Sequence, residues 1–249
     1  MSGAATGGSS PSTSSHLVSD ERLTGGTTAV GTRLGRRIAV GRQRRRLALS
    51  VDWAALRQEL LDMAEEDLRV RGELAADGSL YEGYHPLMRA VHDLHARRLA
   101  QILAEHGWPG EPQVGTEGAQ SAWLIVQHAI AQPELQRRAL DVLGAAARLG
   151  EVPAWQAAML EDRMRTLEGR QQRYGTQCDW DESGQLSPLP IEDRPGVDER
   201  RRAVGLPPLE EEIRARREAA ARSGERAPGD WEARRREMDA WLRDVGWRI

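Results

Sequence analysis

The chain has 249 residues, enough for one large domain with tails. It is 39% hydrophobic and 29% charged, so it can bury a core while part of it stays solvated. Residues 1–50 hold eight Arg against Asp20 and Glu21, a balance of +6, so the remainder carries −9 of the net −3: a basic arm on an acidic body. One Cys, Cys178, excludes an intramolecular disulfide and fits a reducing, cytoplasmic setting. No apolar run approaches the ~20 residues of a membrane span. Arg36-Arg37 is not read as a twin-arginine export signal, because Gly41 and Arg42 to Arg46 stand where an apolar stretch would be needed.

All basic residues are Arg and none is Lys, and Phe is absent beside eight Trp. Such usage points to the codon bias of a GC-rich bacterial genome. It also discounts the special chemistry of Arg here, since Lys was never the alternative.

In chain order, residues 1–32 are rich in Gly, Ser, Thr and Ala without apolar period and are read as disordered. Arg33, Arg36, Arg37, Arg42 and Arg44 to Arg46 follow, either an arm that attracts nucleic acid or a solvated tail. A helix is expected from Asp52 to Leu74, with Trp53, Leu56, Leu60, Met63 and Ala64 at helical steps. A second begins at His85-Pro86, carries Leu87, Val91, Leu94, Leu99, Ile102 and Leu103, and stops at Gly107-Trp108-Pro109-Gly110. Thr116 is the expected N-cap of a third, whose segment Ala119 to Ala131 is apolar nearly all round, as in the buried centre of a bundle. Pro133 opens a fourth, closed by Gly150. Pro153 opens a fifth, with Leu160, Met164, Leu167 and Tyr174 in line and Gly175 as its C-terminal glycine. Residues 176–206 read as a long irregular segment. Pro207-Pro208 starts a charged helix to Arg222, and a last amphipathic helix carries Trp231, Met238, Trp241, Leu242 and Val245. The expected architecture is an all-α, compact multi-helix bundle. It divides into a disordered arm (1–48), a helical domain (49–222) and a C-terminal amphipathic helix (223–249).

Six segments together carry a resemblance. They are Gly107-Trp108-Pro109 with Val114-Gly115; Ala122 to His128, reading AWLIVQH; Leu160-Glu161-Asp162-Arg163; Gln172 to Gln177, reading QRYGTQ; and Asp198 to Leu206. In this order and spacing the chain resembles a bacterial family known as domain of unknown function 6624, across roughly Val51 to Leu209. The Asp and Arg that this family places in the first helix match Asp67 and Arg71. The Arg-rich arm and the last helix fall outside the resemblance. It implies one real fold and brings no reaction, cofactor or partner.

The candidate chemistry sits at helix ends beside apolar segments. Gln127 and His128 close the most apolar helix and need partners there. His128 is the candidate general base, or else a satisfied core histidine. Asp162 orients an imidazole or pairs structurally with Arg71 or another Arg, and Arg163, Leu167, Arg170 and Tyr174 are placed on one helical face. Tyr174 to Gln177 either line a pocket or form a capping turn. His92 and His95 have chelating spacing, but no third ligand completes a set in sequence, so neither metal nor cofactor is assigned. Cys178 as a nucleophile would need His128 beside it.

Three functional readings follow. The first is a binding domain whose polar pocket of Asp67, Arg71, Gln127, His128, Asp162, Arg163, Tyr174 and Gln177 takes a small molecule, a peptide or a protein partner. The second is a hydrolase or transferase with His128 as base. The third is a nucleic-acid-associated protein acting through residues 33–46, which the acidic body argues against.

Overall fold

The computed structural model describes residues 51–81 and 84–249. The arm, with its expected disorder and its Arg stretch, lies outside the described residues. Among these there are eight helices: α1 (Trp53–Ala76), α2 (Pro86–His106), α3 (Glu111–His128), α4 (Pro133–Leu149), α5 (Ala154–Leu167), α6 (Val197–Ala203), α7 (Leu209–Ser223) and α8 (Trp231–Asp244). A two-stranded antiparallel hairpin, β1 (Cys178–Trp180) and β2 (Leu186–Pro188), is the only sheet among the described residues. The all-α class holds, and among the described residues no helix is long and apolar enough to cross a membrane.

Local chemistry sets the helix ends. Asp52 caps α1 by accepting the Ala55 N–H at 3.0 Å. Pro86 occupies the first turn of α2, while the His85 ring accepts the Leu87 N–H. Gly150 takes the left-handed conformation that ends α4. Along α1 the buried positions are Leu56, Leu60, Met63, Asp67, Val70 and Leu74, stepping by three and four. One polar residue, Asp67, therefore lies in the middle of an apolar stripe.

α1, α2 and α3 pack against one another, and α4 pairs with α5. Their buried faces merge into one core that includes Leu60, Leu99, Ile125, Leu143 and Leu160. The smaller clusters of Cys178, Leu186 and Ala220, and of Val197, Leu209 and Ile213, hold the hairpin, α6 and α7 together.

Several boundaries differ from the sequence expectation. α3 is broken at Gly115, where φ is 70°: a short piece from Glu111, with Pro112 in its first turn, precedes the helix expected to start at Thr116. Thr116 does not cap it; its hydroxyl donates to Glu111. α5 stops at Leu167, so Gly175 does not close it, and Arg163, Leu167, Arg170 and Tyr174 do not share one helical face. The chain turns back at Gly169, with φ 77°, because residues 173–176 are gathered onto Asp162. The segment after α5 is not wholly irregular, since it contains the hairpin and α6.

α8 docks on its own domain. Trp241, Leu242 and Trp247 enter the main core, the Trp247 indole N–H donates to the Ile130 carbonyl at 2.6 Å, and Arg234 pairs with Asp179 at 2.8 Å. Trp247→Ala removes a buried indole and leaves the Ile130 carbonyl without its donor. We expect it to cost about 3–5 kcal/mol in urea unfolding. A loss under about 1 kcal/mol would show α8 to be loosely held.

Candidate functional site

The polar position inside the α1 stripe is where three helices meet. Both carboxylate oxygens of Asp67 lie 2.9 Å from Nδ1 of His128, the last residue of α3. An ionised carboxylate only accepts, so Nδ1 carries the proton and donates it, which fixes the His128 tautomer with Nε2 as the open nitrogen. From α2, His92 brings Nε2 to 3.1 Å from Asp67 Oδ2. That approach is close in distance but poorly aligned for a hydrogen bond. The other ring nitrogen of His92 is 2.8 Å from the Tyr84 hydroxyl. The rings of His92 and His128 are 5.0 Å apart, and Trp241 of α8 stands edge-on to Tyr84 at 5.7 Å.

The cluster is dry. Asp67 is 1% exposed, Tyr84 5%, and His92 and His128 7% each. Burial alone would push the Asp67 carboxyl up. The hydrogen bond from His128 and the closeness of the two imidazoles outweigh it and hold the group well below the usual carboxylate range. Burial pushes His92 down towards its neutral form, partly countered by Asp67, while the nearby charges of His128 and Arg71 add to the lowering. Burial, with the Asp93 charge, raises the Tyr84 phenol and keeps it protonated.

A second buried carboxylate behaves differently. Asp162 of α5 accepts backbone N–H bonds from Arg173 at 2.6 Å, Tyr174 at 3.1 Å and Thr176 at 3.0 Å, and the Thr176 hydroxyl at 3.0 Å. Burial pushes this carboxyl up, and these hydrogen bonds offset part of the rise. Gln172 braces the same turn by donating to the carbonyls of Gln177 and Leu189 and accepting the Gln177 N–H. Arg201 donates to the Tyr174 carbonyl at 2.7 Å and Arg200 to that of Arg173 at 2.8 Å. At Gly175, a Cβ would meet Leu209 Cδ1 at 2.7 Å. The QRYGTQ segment is therefore a turn whose polar groups satisfy local backbone.

Of the candidates read from sequence, Asp67 and His128 come together directly, with Arg71 near enough for its charge to act on His92. Asp162, Tyr174 and Gln177 belong to the turn; every hydrogen bond that Asp162 makes among the described residues goes to positions 173–176. Arg163 is buried in α5. Gln127 is buried, and neither of its amide atoms is hydrogen-bonded among the described residues. Cys178 is buried beside Leu186 and Ala220, where burial pushes its thiol up, so it is no activated nucleophile.

Sequence reasoning missed Tyr84 and left His92 as half of a chelating-spaced pair or as a packing residue. It paired His92 with His95, but His95 turns to Glu66 at 3.0 Å. The available signal was the stripe Met88, His92, Ala96 and Leu99, in which His92 holds a core position. A shallow groove of about 510 Å³ runs along α1, lined by Ala55, Gln58, Glu59, Asp62, Met63 and Glu66. It does not include the Asp67 cluster, and its open acidic lining has none of the convergent buried chemistry found there.

Replacing Asp162 by Asn presents an NH₂ group to backbone donors. We expect a loss of about 1–3 kcal/mol in urea unfolding for each donor left unsatisfied. An unchanged midpoint would show that the turn does not depend on the carboxylate.

No curated protein and no solved structure matches the chain. A family model described as a family of unknown function, DUF6624, matches residues 54–223. That range takes in α1 to α7 and both buried carboxylates, and the chain belongs to the DUF6624 family.

Proposed function

We propose that this protein is a ligand-binding helical domain, acting in the cytoplasm, whose ligand is held at the Asp67–His92–His128 cluster. One observation carries the reading: an ionised carboxylate and two imidazoles from three separate helices converge in the core, with one imidazole nitrogen close to the carboxylate yet out of hydrogen-bond line. Burying such groups is poor business for stability alone, since a buried ion pair rarely outperforms packed hydrocarbon. Titratable groups assembled against that cost favour a functional centre. The burial of all three side chains fits an ion or a ligand of a few atoms rather than a peptide.

Chemical modification tests access without knowledge of the ligand. Diethyl pyrocarbonate should carbethoxylate exposed His106 first, then His92 and His128 in the folded protein, as read by peptide mass mapping. If His92 and His128 stay unmodified while His106 and His85 react fully, and the chelator-treated protein takes up no metal ion, nothing small reaches the cluster and the reading falls.

A second reading rests on the His128–Asp67 contact. A carboxylate holding Nδ1–H leaves Nε2 free to take a proton, the arrangement that a general base needs. A hydrolase or transferase activity of this kind would fall in a His128→Ala variant. Turnover equal to that of the unaltered protein in an ester, amide and phosphoester screen would exclude it.

A further inference from the structure

We infer that the ligand of the Asp67–His92–His128 cluster is a divalent first-row transition-metal ion. The inference rests on the ligand-binding reading above and names its ligand. One carboxylate oxygen of Asp67 and one ring nitrogen each of His92 and His128 all lie within 4.8 Å of one another, each from a different buried residue. Two donors about 2.1 Å from a metal and at right angles to each other lie about 3.0 Å apart. A tetrahedral set spreads the same donors to about 3.4 Å; the observed spacings from the Asp67 carboxylate are 2.9 Å to His128 and 3.1 Å to His92, so a local shift of these side chains would let them share one ion.

Two further observations point the same way. His92 Nε2 is buried without an aligned hydrogen bond although a carboxylate oxygen is 3.1 Å away. A buried imidazole nitrogen left without a hydrogen bond next to a carboxylate is available for coordination. Tyr84 supplies the outer contact that a ligating imidazole uses to fix its tautomer, at 2.8 Å from His92 Nδ1. The proton count closes. On binding, each neutral imidazole keeps its one ring proton: His92 holds it on Nδ1 and donates to the Tyr84 oxygen, while the His128 proton moves from Nδ1 to Nε2. Two imidazoles and one carboxylate suit zinc, cobalt, nickel or ferrous iron. They do not suit calcium or magnesium, which take oxygen donors. Three protein ligands leave at least one position open for water or substrate.

The test uses the full chain after chelator treatment, titrated with Zn²⁺ and, for its visible spectrum, Co²⁺. One ion should bind per chain, and Zn²⁺ should protect His92 and His128, but not His106, from diethyl pyrocarbonate. His92→Gln and His128→Gln should abolish that binding, and Tyr84→Phe should weaken it about 10–100-fold. His95→Gln, in the adjacent pair with Glu66, should leave it intact. Should a Gln variant fail to fold, by circular dichroism, protection in the unaltered protein decides. If the reagent reaches His92 and His128 and Zn²⁺ does not protect them, the metal inference is overturned while the ligand site stands. Binding of equal strength in folded His92→Gln and His128→Gln proteins would mean a surface site only, and would likewise overturn it. If the reagent never reaches the pair and no ion binds, both readings fall.

Discussion

The arrangement of α1, α2 and α3 depends on a carboxylate where hydrocarbon would be expected. Asp67 occupies a core position of α1 between Met63 and Val70, and a lone ionised group there would be prohibitively costly. It is tolerated because α3 ends at His128 and α2 turns His92 inward, so that two imidazoles reach one carboxylate. The relation also runs the other way. A buried imidazole needs partners, and Tyr84 takes up one side of His92 while the other faces Asp67 out of hydrogen-bond line. Three helices are thereby tied together by groups whose chemistry exceeds what packing alone requires.

The second carboxylate shows what a structural solution looks like. Asp162 accepts from the backbone N–H groups of Arg173, Tyr174 and Thr176 and from one hydroxyl, and so folds residues 173–176 into a fixed turn. Nothing titratable faces it within hydrogen-bond distance among the described residues. The two sites lie in one family-matched region and are of similar burial, yet one organises backbone and the other organises ionisable side chains. The contrast locates the candidate chemistry at Asp67 and makes the distinctive QRYGTQ segment a matter of architecture.

The helices were legible because apolar residues recur at helical steps and because Pro and Gly mark several of their ends. The main failure came after Leu167, where a continued 3.6-residue period through Tyr174 imitated a longer helix. Local periodicity cannot reveal that a carboxylate twelve residues earlier will capture the backbone of Tyr174. Half of the chemical site was also legible, since Asp67 and His128 stood out by position and by resemblance. His92 was hidden because its nearest histidine in sequence, His95, invited a local pairing. In the fold, the 100° step of the helix sends the two rings to Asp67 and Glu66 separately. Tyr84, in the loop before α2, carried no pattern at all, because its role exists only once α2 is docked.

That docking involves a part of the chain beyond the family match. The matched region ends at 223, whereas α8 begins at Trp231. Trp241 stands edge-on to Tyr84 and, among the described residues, makes no hydrogen bond through its indole nitrogen, so packing alone holds it. Tyr84 in turn holds His92, and His92 faces Asp67. The anchors of α8 are elsewhere: Trp247 on the Ile130 carbonyl, Arg248 on the carbonyls of Thr166 and Leu167, and Arg234 on Asp179. Ile130 lies two residues past His128, and Leu167 ends the helix that carries Asp162. The C-terminal segment is therefore pinned to the chain that follows α3 and to the end of α5, and Trp241 packs against Tyr84, the residue hydrogen-bonded to His92.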